Sequence, residues 1–243
     1  NDRIIGGISE ACTQKTIELY QQFVRGQCLS TNAATAEMAK LSENAFRDVN
    51  IAFANELSVL ADRQGVNIWE LVRLANHHPR VNILNPGPGV GGHCIAVDPW
   101  FLVDADPEQA RLIKTAREVN DGKPGRVIAK VKQALAGIDK PTIACLGLAF
   151  KANVDDLRES PAMNICLALA SIDGVNIAAV EPHITELPEQ LKHYSNVSLA
   201  VTETAIRSAD VIVLLVDHQR FRDIPTLFDL SKVKVIDTRG QWE

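Results

Sequence analysis

Apolar residues follow a helical period in the first half of the chain and form short unbroken runs in the second half. The longest helical stretch covers residues 33–63, where apolar side chains recur at three- and four-residue intervals and no glycine or proline occurs before Gly65. We therefore predict one long helix over residues 33–63 and expect it to form the interface of a homodimer. Lys40, Asn44 and Arg47 project from one face of this helix, although a solvated polar stripe has the same pattern.

A short strand and a helix precede this segment. The strand covers Arg3 to Ile5, and the helix runs from Ser9, whose side-chain oxygen suits an N-cap, to about residue 24. One strand and one helix cannot bury their own apolar faces. We therefore interpret residues 1–26 as the remnant of a preceding domain and expect the chain to be a fragment.

Three further helices are predicted before the second half, over residues 68–75, about 107–120 and about 124–135. The pattern changes at residues 121–125, Asp-Gly-Lys-Pro-Gly, because glycine and proline favour turns over helix interiors. We therefore place a domain boundary there, so that residues 27–121 form an all-α central region.

From residue 141 onward, buried strands alternate with helices. Strands are predicted at residues 142–146, 175–180, 211–216 and 233–237, and helices at 161–170 and 203–208. This alternation is typical of a doubly wound parallel sheet. The predicted fold class is therefore α/β, with an all-α central dimerisation region followed by a doubly wound parallel-sheet domain over residues 122–243.

Three cations follow the predicted strands of this sheet or lie in the loop after the first of them: Lys151, Arg158 and Arg239. Ligands of doubly wound sheets bind beyond the carboxyl ends of the strands. Each cation alone is more often solvated or ion-paired, but together they form a candidate site for a diphosphate.

A loop rich in glycine and proline, residues 85–94 and called the glycine loop below, ends in His93 and Cys94. Glycine permits close approach of a ligand, and proline limits the loop to few conformations. The loop contains the spacing G-x-G-x-x-G, but no strand precedes it and no helix opens on its last glycine, so we reject a dinucleotide fingerprint. We interpret it as a rigid turn that presents Cys94 and Asp98, with a buried structural cysteine as the alternative.

The composition excludes several classes of protein. The net charge is −5 and no basic stripe is visible, which argues against a nucleic-acid or anionic-membrane surface. No apolar run approaches the length of about 20 residues that spans a bilayer. Five cysteines without C-x-x-C pairs fit reduced thiols in a cytoplasmic protein and disfavour zinc. The adjacent His77 and His78 point apart, so we expect no metal.

Four ordered motifs carry a resemblance to a known family. They are Ala36 to Phe46 continued through Asn55-Glu56, Gly89 to Cys94 with Asp98, Leu146 to Lys151 with Asp155 to Pro161, and Val235 to Gly240. The chain is similar throughout its length to the UDP-glucose/GDP-mannose dehydrogenase family. The resemblance implies a central helical domain and a C-terminal UDP-binding domain. It also implies that the NAD-binding domain of the family lies outside this chain, so that the chain alone is inactive.

The resemblance implies NAD-dependent oxidation of the C6 hydroxyl of a UDP-sugar to a carboxylate, in two hydride transfers. His93 before Cys94, and the following Ile-Ala-Val-Asp-Pro-Trp, resemble the branch that acts on UDP-N-acetylhexosamines. The expected substrate is UDP-N-acetyl-D-mannosamine, for synthesis of a bacterial surface polysaccharide. UDP-N-acetylglucosamine and UDP-glucose stay open as substrates, as does a nucleotide-sugar binding or dimerisation module without catalysis.

The resemblance also implies roles for individual residues. Cys94 attacks the aldehyde to form a thiohemiacetal and later a thioester. Lys40 and Asn44 stabilise the oxyanion, and Asp98 assists proton transfer or orients the hydrolytic water. The expected cofactor contact is Arg158. The expected substrate contacts are Arg47, His78, Arg80, Gly89, Gly91, Gly92, Lys151 and Arg239.

Overall fold

The first unit of the fold is a β-α-β motif. In the computed structural model, which describes all 243 residues, strands β1 (Arg3–Gly7) and β2 (Cys28–Asn32) pair in parallel, and helix α1 (Glu10–Tyr20) joins them. The Ser9 side chain accepts the amide of Cys12, which confirms the predicted N-cap. The sequence pattern does not predict β2, because this strand contains only one large apolar side chain.

The long helix is confirmed. Helix α2 spans Ala33–Gln64 and is capped at its start by Asn32, whose side chain accepts the amide of Thr35 at 2.8 Å. Gly65 ends the helix in the left-handed conformation, with φ of 68°, which an L side chain rarely adopts. Helix α3 (Ile68–Ala75) follows and matches its predicted bounds.

The region between the long helix and the sheet differs from the prediction. Helix α4 (Asp98–Ala105) is absent from the sequence pattern, and one helix, α5 (Arg111–Leu135), replaces the two predicted helices. Helix α5 continues through Pro124 because packing against α2 and the sheet outweighs the loss of one amide donor. The predicted boundary between residues 121 and 122 lies inside α5, so this helix belongs to both regions.

The second half of the chain forms a five-stranded parallel sheet in the order β5-β4-β3-β6-β7. Its strands are β3 (Thr142–Leu146), β4 (Asn176–Val180), β5 (Val197–Leu199), β6 (Val211–Leu214) and β7 (Lys234–Asp237). Its helices are α6 (Pro161–Ala170), α7 (Glu189–Lys192), α8 (Thr202–Ser208) and α9 (Ile224–Leu227), with a short 3₁₀ helix at Gln219–Phe221. Within this second half, the sequence pattern does not predict the short elements β5, α7, α9 and the 3₁₀ helix.

Helices cover both faces of this sheet, which confirms the doubly wound α/β fold. Successive residues of β3 alternate between two buried apolar clusters: Ile143 and Cys145 pack with residues of α5 and α6, whereas Ala144 and Leu146 pack with residues of α8. From the central strand β3 the chain builds the sheet in one direction through β4 and β5, then crosses back to β6 and β7. The order therefore reverses between β3 and β6, and ligands bind at the carboxyl ends of strands at such a point.

No helix of the structure combines the length and the apolar character that crossing a membrane requires.

Candidate active site

The glycine loop packs against the start of α6. A Cβ added to Gly91 would lie 2.3 Å from the backbone oxygen of Glu159 and 2.6 Å from Cδ of Pro161. Gly92 has φ of 90°, and its added Cβ would lie 3.1 Å from the ring of Phe150. A side chain at either position would push the glycine loop away from the segment between β3 and α6, so glycine is what lets the two backbones approach.

A cleft of about 210 Å³ lies between the glycine loop and the carboxyl ends of β3 and β6. Lys151 and Arg239 both line it, so the fold brings together two of the predicted strand-end cations. Asp217 lines it as well and accepts a hydrogen bond from Nε of Arg239 at 2.8 Å. Gly89 of the glycine loop also lines the cleft. The cleft therefore offers an ammonium and a guanidinium to an anionic ligand.

Helices α2 and α4 bring together two of the predicted catalytic residues. The side-chain amide of Asn44 donates to Oδ2 of Asp98 at 2.5 Å. The backbone oxygen of Cys94 accepts the amide of Asp98 at 2.8 Å, so Cys94 lies one helical turn before that carboxylate. Cys94 is exposed, which excludes the alternative of a buried structural cysteine.

The structure separates the other two residues of the predicted α2 face from Asn44. The side chain of Lys40 is 62% exposed and pairs with Glu43 at 3.3 Å, and it makes no hydrogen bond to Cys94. Arg47 is exposed and forms no ion pair, whereas Asn44 is buried, because α4 packs against α2. The three residues share a side of the helix but not an environment.

Arg158 does not line the cleft, which corrects the predicted site of three cations. Its Nε and Nη2 donate to the carboxylate of Asp156 at 2.9 and 2.8 Å. Hydrogen bonds from the Arg158 guanidinium and amide hold the pKa of Asp156 well below its ordinary value. His93 lies 3.6 Å from the same carboxylate, so the glycine loop and Arg158 meet at Asp156.

His78 and Arg80 are exposed after α3 and do not line the cleft. Nδ1 of His78 accepts the backbone amide of Arg80 at 3.3 Å. Their assignment as substrate contacts stays a prediction.

A buried carboxylate holds the loop that follows β3. Oε2 of Glu181 accepts the amides of Leu148 and Ala149 at 2.8 and 3.0 Å and lies 3.1 Å from Nε2 of His218. Burial acts to raise the pKa of Glu181, but the hydrogen bonds from His218 and the two amides outweigh it and lower that pKa overall. This loop leads directly to Lys151 of the cleft.

The same carboxylate belongs to a group of possible metal ligands, Glu181, His183 and His218, whose ligand atoms lie within 4.8 Å of one another. Nδ1 of His218 accepts the amide of Asn153 at 3.0 Å, so its proton is on Nε2 and points to Glu181. Neither ring nitrogen of His218 then has a lone pair for a metal. The hydrogen bonds therefore favour a structural role for this group.

Comparison with known proteins decides the family. The family profile described as "UDP-glucose/GDP-mannose dehydrogenase family, central domain" matches residues 34–122, and the UDP binding domain of the same family matches residues 144–243. The chain belongs to the UDP-glucose/GDP-mannose dehydrogenase family. The second match begins inside β3 and includes both Lys151 and Arg239, whereas Gly89 of the same cleft lies in the part that matches the central domain.

Individual members of the family are similar over the whole chain. An NDP-N-acetyl-D-galactosaminuronic acid dehydrogenase of Ralstonia solanacearum is 61% identical, and the match covers 100% of this chain and 56% of the relative. A UDP-N-acetyl-D-mannosamine dehydrogenase of Escherichia coli is 55% identical, with 100% and 59% covered. The solved UDP-D-ManNAc dehydrogenase of Pyrococcus horikoshii superimposes with a TM-score of 0.87 at 38% identity, covering 100% of this chain and 57% of that one. The chain therefore spans somewhat over half the length of these family members.

Two residues near the cleft are absent from the sequence-based site. Asp217 follows β6 and holds Arg239, and its place at the carboxyl end of a strand was a usable signal. Asn55 is fully buried in α2 and accepts the amide of Gly87 in the glycine loop at 2.9 Å. Asn55 belongs to the first family motif, but neither that motif nor its polar character indicates the contact with Gly87.

Proposed function

We propose that this chain carries the UDP-sugar site and the nucleophile of an NAD-dependent dehydrogenase that oxidises the C6 hydroxyl of UDP-N-acetyl-D-mannosamine to a carboxylate. One observation carries the proposal, namely that the glycine loop joins the two parts of the chemistry. Its Gly89 lines the cleft of Lys151 and Arg239, and its last residue is the exposed Cys94. A diphosphate held by the two cations leaves the sugar beside the loop that carries the thiol.

In this proposal Sγ of Cys94, as a thiolate, attacks the carbonyl carbon of the C6 aldehyde, and the carbonyl oxygen becomes an oxyanion. The second hydride transfer removes the hydride from this carbon and leaves a thioester on Cys94. Water then adds to the same carbon, and the C–S bond breaks to release the thiolate and the carboxylic acid. Asp98, held by Asn44, accepts the proton of that water. Lys40 reaches the oxyanion by leaving Glu43, at small cost because the ion pair is exposed.

The sheet domain does not fit NAD. NAD is the hydride acceptor that the resemblance implies, and its diphosphate binds to the amides after the first strand in dinucleotide-binding sheets. Here the amides of Leu148 and Ala149 after β3 already donate to the carboxylate of Glu181. Arg158 is the one contact to the cofactor that we assign to this chain.

Calorimetry with UDP tests the cleft. We expect UDP to bind with one site per chain, and we expect Arg239→Ala to weaken binding at least about tenfold, since a guanidinium contact to phosphate is lost. Arg207→Ala is the matched control, because Arg207 is an exposed arginine of the same domain that pairs with Glu203. Equal affinities of the two variants would overturn the assignment of the cleft.

Alkylation tests the nucleophile. Cys94 and Cys12 are both exposed, so exposure alone predicts that iodoacetamide modifies both. We expect the UDP-sugar to protect Cys94 and to leave the rate at Cys12 unchanged. Protection of neither thiol would favour the alternative of a binding or dimerisation module, in which Cys94 has no role.

The identity of the hexosamine is tested by the same calorimetry, with UDP-sugars in place of UDP. UDP-N-acetyl-D-mannosamine is our first candidate, because His93-Cys94 and the following residues resemble the N-acetylhexosamine branch and because the Escherichia coli relative carries that name. UDP-N-acetyl-D-galactosamine is the second, because of the name of the Ralstonia relative. Competition experiments with these two sugars, UDP-N-acetylglucosamine and UDP-glucose rank the affinities of the four candidates for the cleft.

We also propose a homodimer through α2. Phe46, Phe53 and Leu60 recur every seventh residue on this helix and are 71%, 53% and 46% exposed, so they form an uncovered apolar stripe. Light scattering is expected to give a dimer for the wild type and a monomer for Phe53→Glu. Phe23→Glu, at an exposed phenylalanine just after α1, is expected to leave the dimer intact. A wild-type monomer, or a dimeric Phe53→Glu, would contradict the proposal.

A further inference from the structure

The buried segment Pro86-Gly87-Pro88 of the glycine loop has a single backbone donor. Proline has no amide hydrogen, so only the N–H of Gly87 needs an acceptor. All three residues are buried, and no solvent supplies that acceptor. Oδ1 of Asn55 accepts this hydrogen at 2.9 Å, and Asn55 itself is fully buried in α2. The hydrogen bond therefore ties the loop to the long helix at one defined point.

A chain of buried side chains fixes the orientation of the Asn55 amide. Asp48 is an acceptor when ionised, and Nδ2 of Asn120 donates to its Oδ1 at 2.8 Å and to its backbone oxygen at 3.0 Å. Asn120 therefore turns its oxygen toward Asn55, whose Nδ2 donates to it at 2.9 Å. Asn55 is left with its oxygen facing Gly87. Arg117 donates to Asp48 at 2.6 Å and closes the far end of the network.

Gly87 also contacts the cation of the cleft. A Cβ added to Gly87 would lie 2.6 Å from Nη1 of Arg239, so the bare backbone of Gly87 forms one side of the guanidinium pocket. Asp217 holds Nε of Arg239 at 2.8 Å from another side. A displacement of Gly87 therefore changes the space available to the guanidinium. The same displacement is passed along the loop toward Cys94.

We infer that Asn55 is a positioning residue for the UDP-sugar site. It fixes the distance of Gly87 from α2 and thereby the placement of Arg239 and of the loop that ends in Cys94. The inference rests on the proposed function of the cleft. Asn55 touches neither the cleft nor the thiol, and it acts through one backbone hydrogen bond. Asparagine suits the position because it accepts from Gly87 and donates to Asn120 at the same time without a buried charge.

The test separates positioning from general stability. Asn55→Ala removes the acceptor of Gly87, whereas Asp48→Asn weakens the far end of the network and leaves Asn55 and Gly87 in place. Melting temperature, UDP affinity by calorimetry and amide exchange of residues 85–94 are measured for both variants. We expect both to melt at lower temperature, Asp48→Asn at least as much, because it removes the buried partner of Arg117 and leaves only the half-exposed Asp121 to pair with that guanidinium. Only Asn55→Ala is expected to lose about tenfold or more in UDP affinity and to speed exchange in the loop.

A folded Asn55→Ala with the wild-type affinity for UDP overturns the inference, and so does an equal loss of affinity in Asp48→Asn. If Asn55→Ala does not fold, Asn55→Ser, which is shorter and cannot span the distance to Gly87, takes its place. If the wild-type chain binds no UDP, the proposed function fails first. The positioning role is then decided by iodoacetamide alone: an altered alkylation rate at Cys94 but not at Cys12 supports it, and unchanged rates overturn it.

Discussion

The side-chain amide of Asn44 donates to the carboxylate of Asp98 at 2.5 Å, across 54 positions of the chain. This hydrogen bond joins the buried face of α2 to the first residue of α4, and α4 begins one turn after Cys94. The helix that carries the exposed stripe of the proposed dimer thus also fixes, on its buried side, the carboxylate next to the thiol. A change at Asn44 is expected to affect the site and the packing of α4 together.

Asn44→Asp is expected to destabilise the chain by about 1–3 kcal/mol at pH 7, because it places two carboxylates in contact and removes the donor. Urea unfolding measures the loss. Ser42→Asp adds the same charge at an exposed position of the same helix and is expected to change stability by less than about 0.5 kcal/mol. Equal effects of the two substitutions would show that Asn44 is not holding Asp98.

The glycine loop allows a matched pair of glycine substitutions. Gly91→Ala puts a methyl group 2.3 Å from the oxygen of Glu159, so we expect a loss of about 1–3 kcal/mol and weaker UDP binding. Gly122→Ala lies inside α5, where an added Cβ meets nothing within 4 Å, so we expect a gain of about 1 kcal/mol. Thermal unfolding of both variants is the measurement. A stabilising Gly91→Ala would mean that the glycine loop does not pack tightly against Glu159 and Pro161.

The sequence predicts the elements whose pattern is long or strongly apolar. Helices α2, α3 and α6 and strand β3 appear at or within a residue of their predicted bounds, because their periodicity and caps agree. The sequence pattern divides helix α5 before Pro124, since local propensity cannot reveal the packing that carries the helix across the predicted boundary. Strand β5 has only three residues and owes its existence to the neighbouring strand β4.

The candidate site also contains some contacts that the sequence predicts and others that it does not. Asn44 and Asp98, to which the resemblance assigns catalytic roles, are hydrogen-bonded to each other, and Lys151 lines the same cleft as Arg239 because both follow strands of one sheet. Arg158 was grouped with these cations by its place after β3, but Asp156, two residues earlier, takes its guanidinium. Local ion pairs of this kind depend on the course of a loop, which no periodic pattern specifies.

Glu181→Gln is expected to cost about 1–3 kcal/mol at pH 7, because the amide group cannot accept from His218 and from two backbone amides as the carboxylate does. The hydrogen bonds that lower the pKa of Glu181 also fix the sign of its pH dependence. Glu181 contributes to the free energy of unfolding above its unfolded pKa of about 4.5, and this contribution is lost as the pH falls through its lower folded pKa. The wild type should therefore lose part of its advantage over the variant below about pH 4.

Glu186→Gln is the control for this carboxylate, because the side chain of Glu186 is 83% exposed. Glu186→Gln should unfold in urea like the wild type both at pH 7 and below about pH 4. If Glu181→Gln does the same, the carboxylate does not hold the loop that carries Lys151. An excess of EDTA should leave the wild-type curve unchanged, and a fall in stability would revive a metal at Glu181, His183 and His218.

Lys123→Met is expected to stabilise the chain at neutral pH. Burial lowers the pKa of Lys123 to about 8, and the nearby carboxylate of Asp62 offsets only part of this effect. Below about pH 8 this lysine is charged in both the native and the unfolded state. Its charge is buried only in the native state, so it lowers the free energy of unfolding there. Between pH 8 and 10.5 the unfolded state binds more protons than the native state, so the stability of the wild type rises with pH.

Methionine removes this cost at every pH and keeps the apolar stem, and Ser58 retains its hydrogen bond to the backbone oxygen of Asn55. Urea unfolding should show a gain of about 1–2 kcal/mol for Lys123→Met at pH 7, shrinking toward pH 10 as the wild type sheds the buried charge. Lys130→Met removes an exposed lysine about two turns further along the same helix and should change stability by less than about 1 kcal/mol. A gain that is independent of pH would mean that Lys123 is not strained by its charge, and a loss at pH 7 would mean that its contact with Ser58 outweighs the burial.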